Sequence, residues 1–98
     1  MVTHIVMWNF VDSLTKEEKK EAAAVMKEKL EALADLVPGT RSVKVIIEPF
    51  ASSTREIALI GEYDDEAALK AYAVHPEHVK VVESIIRKVC VDRTALDY

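Results

Sequence analysis

RSVKVIIEPFASSTREIALIGEY, residues 41–63, holds two strand-like runs back to back. Val43, Val45 and Ile47 carry the first run until Pro49, which has no N–H to give a sheet and ends the pairing. After the polar loop EPFASST the chain resumes with Ile57, Ala58, Leu59 and Ile60. Two strands in mid-chain leave room for one strand and one helix on either side.

Working outward, MVTHIVMWNF at the start is rich in Val, Ile, Trp and Phe, with His4, Val6 and Trp8 on one side and Ile5 and Met7 on the other. Both sides are apolar enough to be buried. In DSLTKEEKK, Thr15 followed by Glu18 is a capping box, and Glu17 and Glu18 suit the positive end of a helix dipole. The stripe Ala22, Met26, Leu30, Leu33, Val37 continues that helix to Pro38 and Gly39. Beyond Tyr63, Asp64 or Asp65 caps a short helix carrying Leu69, Tyr72 and Ala73. This helix breaks at VHPEH, where Pro76 fits the first turn of a new one. Val79, Val82, Ile86 and Val89 are read as its buried face, and CVDRTALDY as a last strand.

The order strand, helix, strand, strand, helix, strand defines an α+β chain, a ferredoxin-like βαββαβ domain spanning residues 1–98. Its four-stranded antiparallel sheet carries helices on one face. The other face, with Ile5 and Met7, needs a cover, and a second copy packed face to face supplies it. The expectation is a homodimer.

Composition narrows the function classes. The 98 residues are 50% hydrophobic and 31% charged, with five Gly and Pro in all, which describes a packed globular chain. A net charge of −4, with Lys and Arg interspersed among Glu and Asp, argues against nucleic acid. No stretch approaches a membrane span or a secretory leader, so a cytoplasmic location without membrane attachment is expected. The single cysteine, Cys90 between Val89 and Val91, cannot close an intrachain disulfide and reads as a buried, reduced thiol.

HIVMWNF (4–10), YAVHPEHVKVVESI (72–85) and ALDY (95–98) together resemble the stress-responsive A/B barrel domain family along nearly the whole chain. The most specific part is Tyr72 followed by His75-Pro76-x-His78-Val79, with a histidine in the first strand. The resemblance implies a dimeric α+β barrel of two ferredoxin-like subunits. Most of that family has no assigned activity, but a plant branch consists of cofactor-independent polyketide cyclases. By likeness to that branch, Tyr72 and His78 would be the catalytic pair, His4 would share their pocket, and Val6 and Trp8 would form its wall. The plant pocket also takes aromatics from the first helix. Here that helix offers Ala22, Ala23 and Met26, and the chain has only six aromatic side chains, which points away from a large aromatic substrate.

The chemistry such a pair can do is definite. Closing a ring by aldol addition needs a base to take a proton from carbon and a donor to meet the charge that gathers on oxygen. His78, with an unperturbed pKa of ~6.5, fits the first role and the Tyr72 hydroxyl the second, with no metal or cofactor. The proline break lets residues six apart turn toward one cavity. The plainer reading makes His75 a helix cap, His78 a first-turn residue covering the sheet and Tyr72 a core side chain. His75 and His78 at a three-residue spacing lack the further ligands of a zinc site. His4 also reads as a hydrogen-bonded structural residue, Trp8 as core, and KEEKKE as a solvated helix face. Arg55 and Arg93 could meet an anionic substrate at a pocket mouth, but nothing in their spacing demands it, and both are left out of the site.

Two function classes therefore stand side by side. One is a binding or structural module whose cavity, bounded by His4, Val6, Trp8, Tyr72, His78 and Val82, takes a small apolar or polyketide-like molecule. The other is an enzyme in which His78 is the base and Tyr72 the donor for aldol or lyase chemistry.

Overall fold

The computed structural model describes residues 1–98. Strand β1 (Val2–Phe10) is followed by α1 (Lys16–Glu31), a single turn α2 (Leu33–Leu36), and strands β2 (Thr40–Ile46) and β3 (Ile57–Tyr63). Next come α3 (Glu66–Val74), α4 (Pro76–Val81), a π-helical turn at Val82–Ile86, a last turn α5 (Arg87–Val89) and β4 (Cys90–Asp97). The sheet order is β2-β3-β1-β4, every neighbouring pair antiparallel, as the βαββαβ reading requires.

Local chemistry sets the boundaries. Thr15 accepts from the Glu18 N–H, and the Glu18 carboxylate accepts from the Thr15 N–H, so the capping box is complete at the start of α1. The helix ends at Glu31, about two turns before the proline at which the sequence expectation placed its stop. The stripe survives because α2 carries Leu33 inward and Val37 follows it. Gly39 then turns the chain at φ +82°, a conformation that side chains disfavour, and a Cβ there would also meet the Ala68 Cβ at 2.9 Å. Asp65 caps α3 by accepting from the Ala68 N–H. His75, at φ −64° and ψ 136°, breaks the helix, and Pro76 opens α4 without wasting an N–H.

The core lies between the sheet and the helices. Val6, Trp8, Phe10, Val43, Val45, Ile57 and Leu59 point from the strands into one cluster with Ala22, Ala23, Met26 and Leu30 of α1 and Tyr72, Val81 and Ile86 of the second helical segment. Burying a side chain of the size of Met26 or Leu30 contributes roughly 1.5–3 kcal/mol. Val79, expected on this face, is 40% exposed, and Val81 is buried in its place. Once His78 and Val82 turn toward the sheet, position 79 lies a third of a turn away from that face.

The edge strand β2 is closed off by α1. Lys27 Nζ donates to the Val45 carbonyl at 3.0 Å, the Glu31 carboxylate accepts from the Val45 N–H at 3.0 Å, and the two side chains pair with each other at 2.8 Å. This denies the edge to a foreign strand. The opposite sheet face carries Ile5, Met7, Ile60 and Leu96, of which Ile60 is 37% and Leu96 63% exposed.

Candidate functional site

A cavity of about 830 Å³ opens between the β1–β4 side of the sheet and the segment from α3 to α5. Of its 21 lining residues 13 are hydrophobic, and all six expected ones are among them: His4, Val6 and Trp8 from β1, Tyr72 from α3, His78 from α4 and Val82 from the π-helical turn. A cavity of this size suits a ligand of a few hundred daltons.

The break at His75 arranges the helix side. His75 Nδ1 accepts from the Glu77 N–H at 3.1 Å, so this histidine is a cap, as the plainer reading has it. Nowhere do three His, Cys, Asp or Glu side chains gather as metal ligands would. His78 turns back across the break, its Nδ1 lying 3.0 Å from the carbonyl oxygen of Ala73. A carbonyl only accepts, so Nδ1 carries the proton and Nε2 keeps its lone pair. Its ring packs on Tyr72 with centroids 4.5 Å apart and planes tilted by 41°. Burial pushes the His78 pKa below its ordinary value, with the charges of His4, Arg93 and His75 adding to the effect and the Ala73 carbonyl opposing it. The imidazole is therefore neutral near pH 7.

Tyr72 is 2% exposed, and its hydroxyl is buried without a hydrogen-bond partner. Burial pushes its pKa up to about 12, so the phenol stays protonated and can only donate a proton or accept a bond. A second phenol lies behind it. Tyr63 is wholly buried, its centroid 4.9 Å from that of Tyr72 and 6.3 Å from that of His4, and its hydroxyl also lacks a partner. The two hydroxyls influence each other electrostatically without reaching hydrogen-bond geometry. Tyr63 is pushed up further than Tyr72, first by burial, then by Tyr72 and by the negative charge of Asp97. Tyr63 was not singled out from sequence. The signal was Gly61, two residues earlier on the same face, because a glycine inside a strand marks a close approach. A Cβ at Gly61 would stand 2.4 Å from the Tyr63 hydroxyl oxygen.

His4 pairs through Nδ1 with the carboxylate of Asp97, its partner across the β1–β4 ladder. That bond makes it an oriented residue, with Nδ1 the donor to the carboxylate. Cys90 also lines the cavity, and burial pushes its pKa up to about 12, which leaves a thiol and not a thiolate. Of the two arginines set aside in the sequence, Arg55 binds the Asp92 carbonyl and Thr94 Oγ1, whereas Arg93 lines the cavity.

A four-stranded antiparallel sheet with helices on one face, and a Tyr/His pair folded over a cavity between the sheet and those helices, define an α+β chain of ferredoxin-like topology. The sequence model of the Stress responsive A/B Barrel Domain family matches residues 2–98, and the chain belongs to that family. Among solved structures, a dimeric protein of unknown function from Bacteroides fragilis is 34% identical, with 99% of this chain and 93% of that one covered and a TM-score of 0.90. A dimeric ferredoxin-like protein of unknown function from Thermobifida fusca is 23% identical, covering 99% and 88% at a TM-score of 0.79. The hydroxynitrile lyase of Passiflora edulis shares the fold at 14% identity, covering 99% and 90% with a TM-score of 0.77. No curated protein sequence matches the chain.

Proposed function

We propose that this chain is a cytoplasmic homodimer that binds a small, mainly apolar molecule bearing a carbonyl or hydroxyl group in the cavity between sheet and helices. The observation that carries the reading is His78. Its Nδ1 is committed to the Ala73 carbonyl while Nε2 stays unprotonated in a pocket walled mostly by hydrocarbon, so Nε2 accepts from a ligand hydroxyl, and a ligand carbonyl takes its donor from the unpartnered Tyr72 hydroxyl. The dimer follows from the apolar outer sheet face at Ile5, Met7, Ile60 and Leu96, and it agrees with the dimeric relatives from Bacteroides fragilis and Thermobifida fusca. A sedimentation mass of about twice 11.0 kDa at micromolar concentration is expected, and a monomer would remove that part of the reading.

The second reading makes the same pair an enzyme of the cyclase or lyase kind. In it, His78 Nε2 takes a proton from the carbon next to a carbonyl, and the Tyr72 hydroxyl donates to the oxygen on which charge develops. It is favoured by the neutral imidazole and by a buried phenol whose hydrogen-bond donor is unused. One experiment addresses both readings. C6–C12 methyl ketones are titrated into the ¹⁵N-labelled protein, and exchange of their α-hydrogens for deuterium is then followed in D₂O. Saturable shifts at His78 and Val82, lost in Val82→Trp, support binding. Exchange above the buffer rate that disappears in His78→Ala supports catalysis. No shift with any ketone would overturn the binding reading.

A further inference from the structure

The last strand contains an irregularity that the site described so far does not use. Met7 stands opposite Thr94 and Asn9 opposite Val91, so Trp8 is faced by two residues, Asp92 and Arg93. This is a β-bulge, and Asp92 adopts φ +57°, the one non-glycine residue of the chain in the left-handed region. The bulge changes which side chains face the helices. Cys90 is paired with the inward Phe10, so unbroken alternation would send Asp92, Thr94 and Leu96 inward too. Ala95 is instead paired with the inward Val6 and Asp97 with the inward His4, and Arg93 shares their side. One extra residue has moved an arginine from the outer sheet face to the cavity.

The bulge is also pinned. Asn9 Nδ2 donates to the Asp92 carboxylate at 3.1 Å, and Arg55 Nε and the Thr94 hydroxyl donate to the Asp92 carbonyl at 3.2 and 3.3 Å. Arg93 itself takes part in none of the chain's ion pairs or side-chain hydrogen bonds. The acids around the cavity are largely occupied elsewhere: Asp97 pairs with His4 and Asp92 with Asn9. Among the other cavity cations, Arg87 pairs with Glu83, while Lys70 makes no ion pair but follows Glu66 by one helical turn on the same rim. Strain and three hydrogen bonds thus hold an unpaired guanidinium against an apolar cavity. Its charge is felt at His78, where it helps keep the ring neutral.

We propose that Arg93 is the anion-recognising residue of the cavity and that the ligand is an apolar monocarboxylate, its carboxylate at the rim on Arg93 and its hydrocarbon part among Val6, Trp8 and Val82. A guanidinium meets a carboxylate with two parallel N–H donors, which gives orientation as well as attraction. This rests on the binding reading above and supplies its ligand class.

The test is a calorimetric comparison of straight-chain C6–C12 carboxylates with the amides of equal length, in wild type, Arg93→Gln and Arg93→Lys at low and high salt. Wild type is expected to prefer the carboxylate by about tenfold, a preference that weakens with salt. Arg93→Gln abolishes the preference while keeping the affinity for the amide, and Arg93→Lys restores part of it. If amides and carboxylates bind wild type equally, or if Arg93→Gln keeps the preference, Arg93 is not the anchor although the cavity still binds apolar ligands. If neither series binds at any length, the binding reading falls together with this one.

Discussion

Replacing Gly61 with alanine tests how the two phenols are seated. The new Cβ would lie 2.4 Å from the Tyr63 hydroxyl oxygen and 2.8 Å from ring carbons Cε1 and Cζ, where ordinary contacts need ~3.5 Å or more. The ring would have to withdraw by roughly 1 Å. It is wholly buried, and the rings of His4 and Tyr72 flank it, so withdrawal disturbs both. Overpacking of this kind costs about 1–3 kcal/mol, and the upper half of that range applies because the ring has no free side to move into. Losing a glycine stiffens the unfolded chain and returns ~0.5–1 kcal/mol. The net loss is therefore about 1–2.5 kcal/mol, or on the order of 10 °C in Tm for a domain of this size. The assay is urea and thermal unfolding at one fixed protein concentration, since a dimer's stability depends on concentration. Gly61→Ala combined with Tyr63→Phe removes the closest contact and recovers part of the loss. Tyr63→Phe alone is at least as stable as wild type, because it deletes a buried hydroxyl that has no partner. A Gly61→Ala protein of wild-type stability with unmoved Tyr63 ring resonances would refute the packing described for this glycine.

Two further perturbations reach the frame around the site. Thr15→Ala removes the side-chain half of the capping box, the Thr15 Oγ1 that accepts from the Glu18 N–H, and should cost ~1 kcal/mol, read as a shift of the urea midpoint with unchanged slope. The Glu31 carboxyl is held below its usual value near 4.5, first by its hydrogen bond from Lys27 and then by the Val45 N–H. A depressed folded value means that the contribution is present above about pH 4.5 and is lost as pH falls through the folded value. Urea midpoints followed from pH 6 to 3 should therefore fall less steeply in Glu31→Gln than in wild type, and parallel profiles would count against the edge clamp on β2.

Much of this frame was legible in the sequence because it is written in local rules. Alternation in residues 2–10, the Thr15/Glu18 pair and the proline at 76 each prescribe one conformation, and β1, the start of α1 and the opening of α4 follow them. The end of α1 was misjudged by nearly two turns because the stripe Leu30, Leu33, Val37 reads as continuous whether or not the helix is. Val79 was misplaced because the direction in which α4 faces the sheet is set by His78 and Val82, not by counting valines.

The site divides in the same way. His4, Tyr72 and His78 could be named from a motif, and the break at His75 brings the Tyr72 and His78 rings together. Tyr63 could not be named, since its place depends on the space left by Gly61 and on aromatic neighbours from β1 and α3. Arg93 was left out because nothing in its spacing demands a ligand. Period-two counting from Cys90 sends it outward, and only the left-handed Asp92 reverses the sides. A bulge is a tertiary compromise between strands that carries no local signature at an aspartate.

The chemistry of the cavity turns on His78, which presents an unprotonated Nε2 to it. Long-range ¹H–¹⁵N correlation spectra of the imidazoles, recorded from pH 5 to 8, test this most directly. A neutral Nδ1–H tautomer is expected for His78 at pH 7, titrating below its ordinary 6.5, with resonances that move in Tyr72→Phe. An Nε2–H tautomer, or a midpoint at or above 6.5, would contradict it and leave the cavity without its base.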